Sequence, residues 1–104
     1  MLQFGVYRNR NAATRAVYPL LLNLQSELIS ETGTRVVVPL VPAGHAIAAM
    51  PPLTPTISLG NKPHVMATPL MGAMELADLG GFEGDLSGER ATILAAIDFL
   101  FSGF

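Results

Sequence analysis

Cysteine is absent from this sequence, and charged residues are scarce. With no cysteine among its 104 residues, the chain can form neither disulfides nor thiolate metal sites. Charged residues make up 13% of the sequence and hydrophobic ones 50%, whereas about 25% of an average domain is charged. A monomer with so few charges has difficulty covering its apolar surface. We therefore expect part of that surface to be buried against a second copy of the chain or another protein.

Membrane-spanning, secretory and nucleic-acid-binding patterns are also missing. No apolar run approaches the roughly 20 residues that cross a bilayer, and the start, MLQFGVYRNR, lacks the basic and then apolar pattern of a secretion signal. The net charge of −2 gives no basic footprint of the kind that nucleic-acid-binding domains carry. We expect one soluble, cytoplasmic domain over residues 1–104, with no membrane contact and no direct binding of DNA or RNA.

Short alternating apolar stretches predict five or six β-strands. We expect them at residues 3–8, 18–25, 35–41, 56–59, 64–68 and 71–79. Asn23 and Gln25 should point outward, and Pro39 should lie at a bulge or on an edge strand because it cannot donate to a ladder. Gly80, Gly81 and Gly84 should interrupt the chain before a final helix. The absence of βαβ alternation favours an antiparallel barrel or rolled sheet over a parallel one.

The last 18 residues predict the only helix. They place one apolar face at a period near 3.6, formed by Ile93, Ile97, Leu100 and Phe104 and flanked by Leu94 and Phe101. Ser87 is the predicted N-cap. About 14 residues are marginal for an isolated helix, so packing must stabilise this one. Phe101 and Phe104 have two possible roles, as core residues under the helix or as a contact surface at its end.

Catalytic and metal-binding patterns do not emerge from the polar residues. His45 and His64 each lack a second ligand at suitable spacing, and Asp78, Glu83 and Asp85 lack the pattern of a calcium loop. No serine lies in a nucleophile elbow, and the glycines lack the spacing of phosphate-binding loops. We therefore predict no catalytic residue, no metal ion and no cofactor.

Four segments carry a combination of residues that is more specific than any one alone. They are Gln3-Phe4…Val6-Tyr7, Leu24-Gln25-Ser26-Glu27-Leu28-Ile29, Arg35-Val36-Val37-Val38-Pro39-Leu40, and Ala96-Ile97-Asp98-Phe99-Leu100-Phe101-Ser102-Gly103-Phe104. In this order and spacing the chain resembles, over nearly its whole length, the CcdB family of gyrase-poisoning toxins from bacterial toxin–antitoxin modules.

The resemblance implies both a fold and a mode of action. The implied fold is an SH3-like antiparallel barrel with a small inserted β-sheet and a C-terminal helix, assembled as a homodimer. The helix end is expected to bind the DNA gyrase A subunit and trap the enzyme with its DNA cleaved, without a catalytic step. A cognate antitoxin would neutralise the toxin and repress the shared operon together with it. Carried over by position, the gyrase-binding residues are Leu28, Ile29, Asp98, Phe101, Ser102, Gly103 and Phe104.

Two departures from the family pattern leave other hypotheses open. The sequence has Ser102 where the family's main anchor is tryptophan, and Asp98 where the family has asparagine. A binding-only toxin with weak or no gyrase poisoning is one alternative. A ribonuclease toxin on a related barrel is another, for which Arg8, Arg10, Arg15 and Arg35 would supply only part of a catalytic groove.

Overall fold

Seven strands and one α-helix form the described part of the chain. The computed structural model describes residues 1–44 and 47–103, so His45, Ala46 and Phe104 lie outside it. The strands are β1 (Gly5–Asn9), β2 (Leu20–Asn23), β3 (Thr34–Pro42), β4 (Thr56–Leu59), β5 (Lys62–Met66), β6 (Gly72–Glu75) and β7 (Leu79–Asp85), and the helix is α1 (Arg90–Ser102). Short 3-10 helices occupy Thr68–Leu70, Leu76–Asp78 and Ser87–Glu89. No helix in the described ranges has the length and apolarity needed to cross a membrane.

All strand pairs are antiparallel, and they form one curled sheet. Its order is β4-β5-β3-β2-β1-β7, with β6 as an additional partner of β3. One face packs against α1 around the largest buried side chains, among them Leu22, Leu40, Ile57, Met66 and Ile93. The mainly β fold with a C-terminal helix is therefore confirmed, as a half-barrel that the helix closes.

The alternation along β1 and β2 distributes apolar side chains to both faces of the sheet. Phe4 and Val6 join the main core, whereas Tyr7 and Leu21 join a second, smaller cluster on the other face. Because successive side chains of a strand point to opposite faces, this division follows directly from the sequence. The predicted separation of Phe4 and Val6 from Tyr7 is confirmed.

The β4–β5 hairpin was also predictable from its turn. Gly60 and Asn61 connect the strands, with φ of +56° and +65°. A two-residue hairpin turn with both central residues in the left-handed region matches the right-handed twist of the strands, and glycine and asparagine tolerate that conformation best. The turn fixes the register, which pairs Leu59 with Lys62.

Asn23 is buried, which contradicts the outward orientation expected for it. Its side chain is fully enclosed; Nδ2 donates to the Leu2 carbonyl oxygen at 3.0 Å, and Oδ1 accepts from the Gln25 N–H at 3.2 Å. The alternation rule fails here because Asn23 ties the chain before β1 to the segment after β2. A buried amide with satisfied donor and acceptor groups is compatible with a core position.

Pro39 lies in the interior strand β3, at neither a bulge nor a sheet edge. On one side of β3, pairing with β6 ends at Val37 and pairing with β5 begins at Leu40. The carbonyl that an N–H at position 39 would meet, that of Ala67, accepts instead from Leu70 N–H at 2.9 Å. The Pro39 carbonyl still accepts from the Ala67 N–H at 2.9 Å. The missing proline donor therefore falls at the last pair of the ladder, where the Ala67 carbonyl has another donor.

The glycines after residue 79 do not interrupt the chain, contrary to expectation. Gly80, Gly81 and Gly84 lie within β7, which pairs with β1. A Cβ on Gly80 would lie 2.9 Å from Arg10 Cγ and Cδ, and one on Gly84 would lie 2.6 Å from Leu59 Cδ1. At Gly80 and Gly84, neighbouring side chains thus approach the backbone closely, which the local sequence does not reveal. The strand expected at 71–79 is accordingly divided into β6, a 3-10 turn and the start of β7.

The segment between β3 and β4 is irregular, as its prolines and alanines suggest. Within its described part, Met50 and Thr54 form a single antiparallel bridge, and the peptide bond between Pro51 and Pro52 is cis. His45 falls in this segment and lies outside the described residues.

No side chain among the described residues caps the start of α1, whose N-cap position is Glu89, so the N-cap predicted at Ser87 is wrong. Ser87 instead begins the 3-10 helix that precedes α1, and its side chain makes no capping bond there. Just before this 3-10 helix, Asp85 Oδ1 accepts from the Ser87 N–H at 2.8 Å. Two hydrogen bonds from Ser87, from its backbone N–H and then from its hydroxyl, hold the pKa of the Asp85 carboxyl below its usual value of 3.8.

Candidate functional site

The first two turns of α1 attach the helix to the sheet. Ile93 and Ala96 are completely buried, and Leu94 and Ile97 pack partly against the same core. At its start, the Arg90 guanidinium lies 5.5 Å from the centre of the buried Phe4 ring. The backbone carbonyl oxygen of Phe4 accepts a hydrogen bond from the Leu86 N–H at 2.8 Å. These contacts fix the direction in which the rest of the helix leaves the core.

The end of the helix (residues 98–103) is exposed. Phe101 has 76% of its surface accessible, and Leu100, expected in the apolar stripe, has 37%. Asp98, Ser102 and Gly103 are exposed as well. The core role considered for Phe101 is therefore wrong, and its binding role stays a prediction. Phe104 lies outside the described residues.

The helix ends in an ordered left-handed turn. Ser102 Oγ donates to the Asp98 carbonyl oxygen at 2.6 Å. Gly103 has φ of +80°, and its N–H donates to the Phe99 carbonyl oxygen at 2.9 Å. Glycine ends helices in this way because it has no Cβ to clash in the left-handed region. The turn presents Phe101 on an ordered last turn of the helix.

The second predicted contact segment is the loop between β2 and β3, here called the contact loop (residues 26–33). Leu28 is 94% exposed and Ile29 is 56% exposed. The loop begins with a turn in which the Ile29 N–H donates to the Ser26 carbonyl oxygen at 3.0 Å and the Leu28 N–H donates to Ser26 Oγ at 3.2 Å. All the described gyrase-binding candidates are thus on the surface, in two segments distant in sequence.

Two residues that the sequence did not assign to the site hold the contact loop. Gln25 Nε2 donates to the Ile29 carbonyl oxygen at 2.6 Å, and Gln25 Oε1 accepts from the Val36 N–H at 3.1 Å. The buried Arg35 guanidinium donates to the carbonyls of Ser30, Thr32 and Thr34. No sequence signal marked this role, since arginine is usually exposed unless it is paired.

Several other titratable residues have local structural partners. Arg8 pairs with Glu83, Asp78 accepts from the Asn11 amide at 3.1 Å, and His64 Nδ1 lies 2.9 Å from the Lys62 carbonyl oxygen. Within residues 1–44 and 47–103, no group of three or more potential ligands could hold a metal ion. These side chains stabilise turns and strand edges.

Two surface cavities lie outside the predicted contact residues. One, of about 300 Å³, is bordered by Met1, Ser30 and Arg35 beside the contact loop. The other, of about 290 Å³, is apolar and lies over the second cluster, against Leu21, Val37 and Met74. Its polar rim is internally bonded, because Asn9 Nδ2 donates to Thr14 Oγ1 at 2.9 Å.

The described structure defines a class of protein: a small curled β-sheet closed by one helix, with its two most exposed large apolar side chains on the helix end and the contact loop. A model of the family described as CcdB protein matches residues 3–103. The chain therefore belongs to the CcdB family, and this membership implies a toxin of a toxin–antitoxin module. A search of curated proteins found no match.

Proposed function

We propose that this protein is a toxin that binds the DNA gyrase A subunit and traps gyrase on cleaved DNA. Under this proposal, residues 1–104 form one toxin domain that acts as a cytoplasmic homodimer. A cognate antitoxin neutralises it and represses the shared operon together with it, so the toxin reaches DNA only through the antitoxin. The toxin carries out no reaction of its own but stabilises one state of gyrase.

The exposure of Phe101 is the observation that carries this proposal. A phenylalanine that is 76% exposed at an ordered helix end leaves apolar area in water, which costs about 25 cal/mol for each Å². Binding of a partner removes that cost, and aromatic side chains at the centre of interfaces often contribute about 2 kcal/mol or more. Family membership identifies gyrase as the partner to test.

Leu28 supports the same proposal from a different segment. It is the most exposed large apolar residue described, at 94%, although it lies in a loop held by several hydrogen bonds. A single exposed leucine needs no explanation. The joint exposure of Leu28, Ile29 and Phe101, all at positions that the family resemblance marks as contacts, is better explained by binding.

Gyrase-dependent DNA cleavage tests the proposal directly. Purified protein should cause linear DNA to accumulate when gyrase acts on supercoiled plasmid, and deletion of Ser102, Gly103 and Phe104 should abolish this without unfolding the protein. Val17→Ala is a suitable control, because Val17 is an exposed apolar residue outside both segments. A deletion variant that poisons gyrase as well as the full chain would show that the helix end is not the contact.

A binding-only toxin is the second candidate, and Ser102 favours it. The Ser102 hydroxyl is occupied by the Asp98 carbonyl, and a serine supplies little of the area of the family's tryptophan. The exposed Asp98 carboxylate also opposes burial in an interface, because removing a charge from water is costly unless it finds a partner. High affinity for an antitoxin together with normal growth during expression would support this candidate over gyrase poisoning.

The ribonuclease hypothesis receives less support. Of its four candidate arginines, Arg8 pairs with Glu83 and Arg35 donates to three loop carbonyls. Both guanidiniums are therefore already engaged and less free to bind RNA phosphate. Degradation of RNA by the pure protein, lost in Arg10→Ala or Arg15→Ala variants, would revive the hypothesis.

A further inference from the structure

The contact loop is held at both ends by long polar side chains. Gln25, immediately before the loop, bonds to the Ile29 carbonyl at 2.6 Å and to Thr32 Oγ1 at 3.1 Å. Arg35, just after it, donates from Nη1 to the carbonyls of Thr32 and Thr34 at 2.9 and 2.7 Å, and from Nη2 to that of Ser30 at 3.2 Å. Four carbonyls from residue 29 to residue 34 are thus bound by two side chains, here called the Gln25–Arg35 clamp.

The burial of Arg35 indicates that its bonds to these carbonyls also stabilise its own charge. The loop is exposed, and water alone could satisfy its backbone oxygens. Arg35, however, is only 6% exposed and has no carboxylate partner among the described residues. Burying a guanidinium is costly unless its charge is well solvated by other groups. Here the carbonyl dipoles of the loop supply that solvation, so the buried charge and the loop conformation stabilise each other.

We propose that the Gln25–Arg35 clamp positions Leu28 and Ile29 for binding before the partner arrives. The inference rests on the proposed function, because gyrase is the partner that these two residues are expected to contact. A free loop would lose conformational freedom when it binds, and that loss weakens binding. The clamp already restricts the loop when the protein folds, so this conformational freedom is not lost again on binding. Leu28 is therefore exposed in an ordered conformation. Gln25 and Arg35 are positioning residues and need not touch gyrase.

Gln25→Glu is the variant that tests the clamp most selectively. The new carboxylate retains an acceptor for the Val36 N–H, but it places an oxygen against the Ile29 carbonyl oxygen, where Nε2 now donates. The Val36 N–H of β3 thus keeps its acceptor, while the bond from residue 25 to the loop carbonyl is lost. Asn61→Asp is a matched control, because it adds the same charge in the β4–β5 turn, where aspartate tolerates positive φ.

The readouts are amide hydrogen exchange of the free protein and its affinity for purified gyrase A subunit. In Gln25→Glu, exchange at residues 26–33 should accelerate by about tenfold or more, since local opening governs exchange, while exchange in β1 and α1 stays unchanged. The dissociation constant for gyrase A should rise by about tenfold. When Leu28 is also replaced by alanine, Gln25→Glu should no longer raise the dissociation constant, because the position of the loop matters only while Leu28 can make its contact. Arg35→Lys, which keeps the charge but loses the planar guanidinium that spans these carbonyls, should change exchange and affinity in the same direction.

Three results would overturn the inference. Unchanged exchange in the contact loop would mean that the clamp does not order it. Unchanged gyrase affinity despite faster exchange would mean that loop order does not matter for binding. An equal loss of affinity with and without Leu28 would mean that Gln25 acts elsewhere. If the wild-type protein does not bind gyrase A, the proposed function fails, and the exchange measurement alone still decides whether the clamp orders the loop.

Discussion

The two halves of α1 have opposite relationships to the rest of the molecule. Ile93 and Ala96 are completely buried against the sheet, whereas Phe101, two turns beyond Ile93, has 76% of its surface in contact with solvent. Both halves are apolar in sequence, so composition alone does not explain the difference. Phe101 also lies about 80° around the helix from Ile93, away from the buried face. The comparison separates residues that stabilise the fold from residues that remain available for a partner.

The largest expected effect tests the buried half. Ile93→Ala should lower the free energy of unfolding by about 3 kcal/mol, because it removes a fully buried side chain and leaves a cavity under the helix. Urea denaturation measures the change. A loss below about 1 kcal/mol would mean that the sheet and helix repack freely around position 93.

Phe101→Ala tests the exposed half, with the opposite pattern expected. Stability should change by no more than about 0.5 kcal/mol, since the ring is largely in solvent. The free energy of binding to gyrase A should weaken by about 2 kcal/mol, a roughly thirtyfold higher dissociation constant, as for an aromatic residue at the centre of an interface. Calorimetry measures the binding, and urea denaturation measures the stability. Phe82→Ala is the control, because Phe82 is also exposed but lies on β7 against Tyr7; an equal loss of gyrase affinity in the control would remove the distinction.

Ser102→Trp should strengthen the contact at the helix end. It restores the aromatic residue of the family pattern at an exposed position, so affinity for gyrase A should increase by about tenfold with little change in stability. Both Ser102→Trp and Ser102→Ala remove the hydrogen bond to the Asp98 carbonyl, but only tryptophan adds aromatic area. The alanine variant therefore measures the effect of losing the bond alone. If tryptophan and alanine have the same affinity, position 102 is outside the interface.

The smallest effect concerns the Asp85 turn just before the 3-10 helix that leads into α1. The pKa of Asp85 is lowered by its hydrogen bonds from Ser87, so the folded state favours the carboxylate. The carboxylate therefore contributes stability above the usual pKa, near 4, and that contribution is lost as pH falls through the lower folded value. Asp85→Asn keeps an acceptor for the Ser87 N–H without the charge. Wild type should be slightly more stable than Asp85→Asn at pH 7, and the difference should disappear toward pH 2; a constant difference would contradict the assignment.

Features set by neighbouring residues were predictable from the sequence. The alternation of Phe4, Val6 and Tyr7, the Gly60–Asn61 turn and the helix period all follow from local geometry. The errors arose where distant segments meet. Asn23 is buried where it bonds to Leu2, and Gly84 lies in a strand that pairs with the distant β1.

The candidate site shows the same division. Its residues followed from resemblance to a family, and the exposure of Leu28 and Phe101 agrees with that assignment without testing what they bind. The helix period alone left Phe101 between core and surface, because periodicity does not reveal where the opposing sheet ends. The roles of Gln25 and Arg35 required the positions of the loop carbonyls, which no sequence pattern specifies.

Pro39 lies where the ladder between β3 and β6 has ended and the ladder between β3 and β5 begins. Its carbonyl accepts from the Ala67 N–H at 2.9 Å, but as an imino acid it has no N–H to return to the Ala67 carbonyl, which accepts from Leu70. One imino acid thus divides β3 into a half that supports the β4–β5 hairpin and a half that adjoins the contact loop.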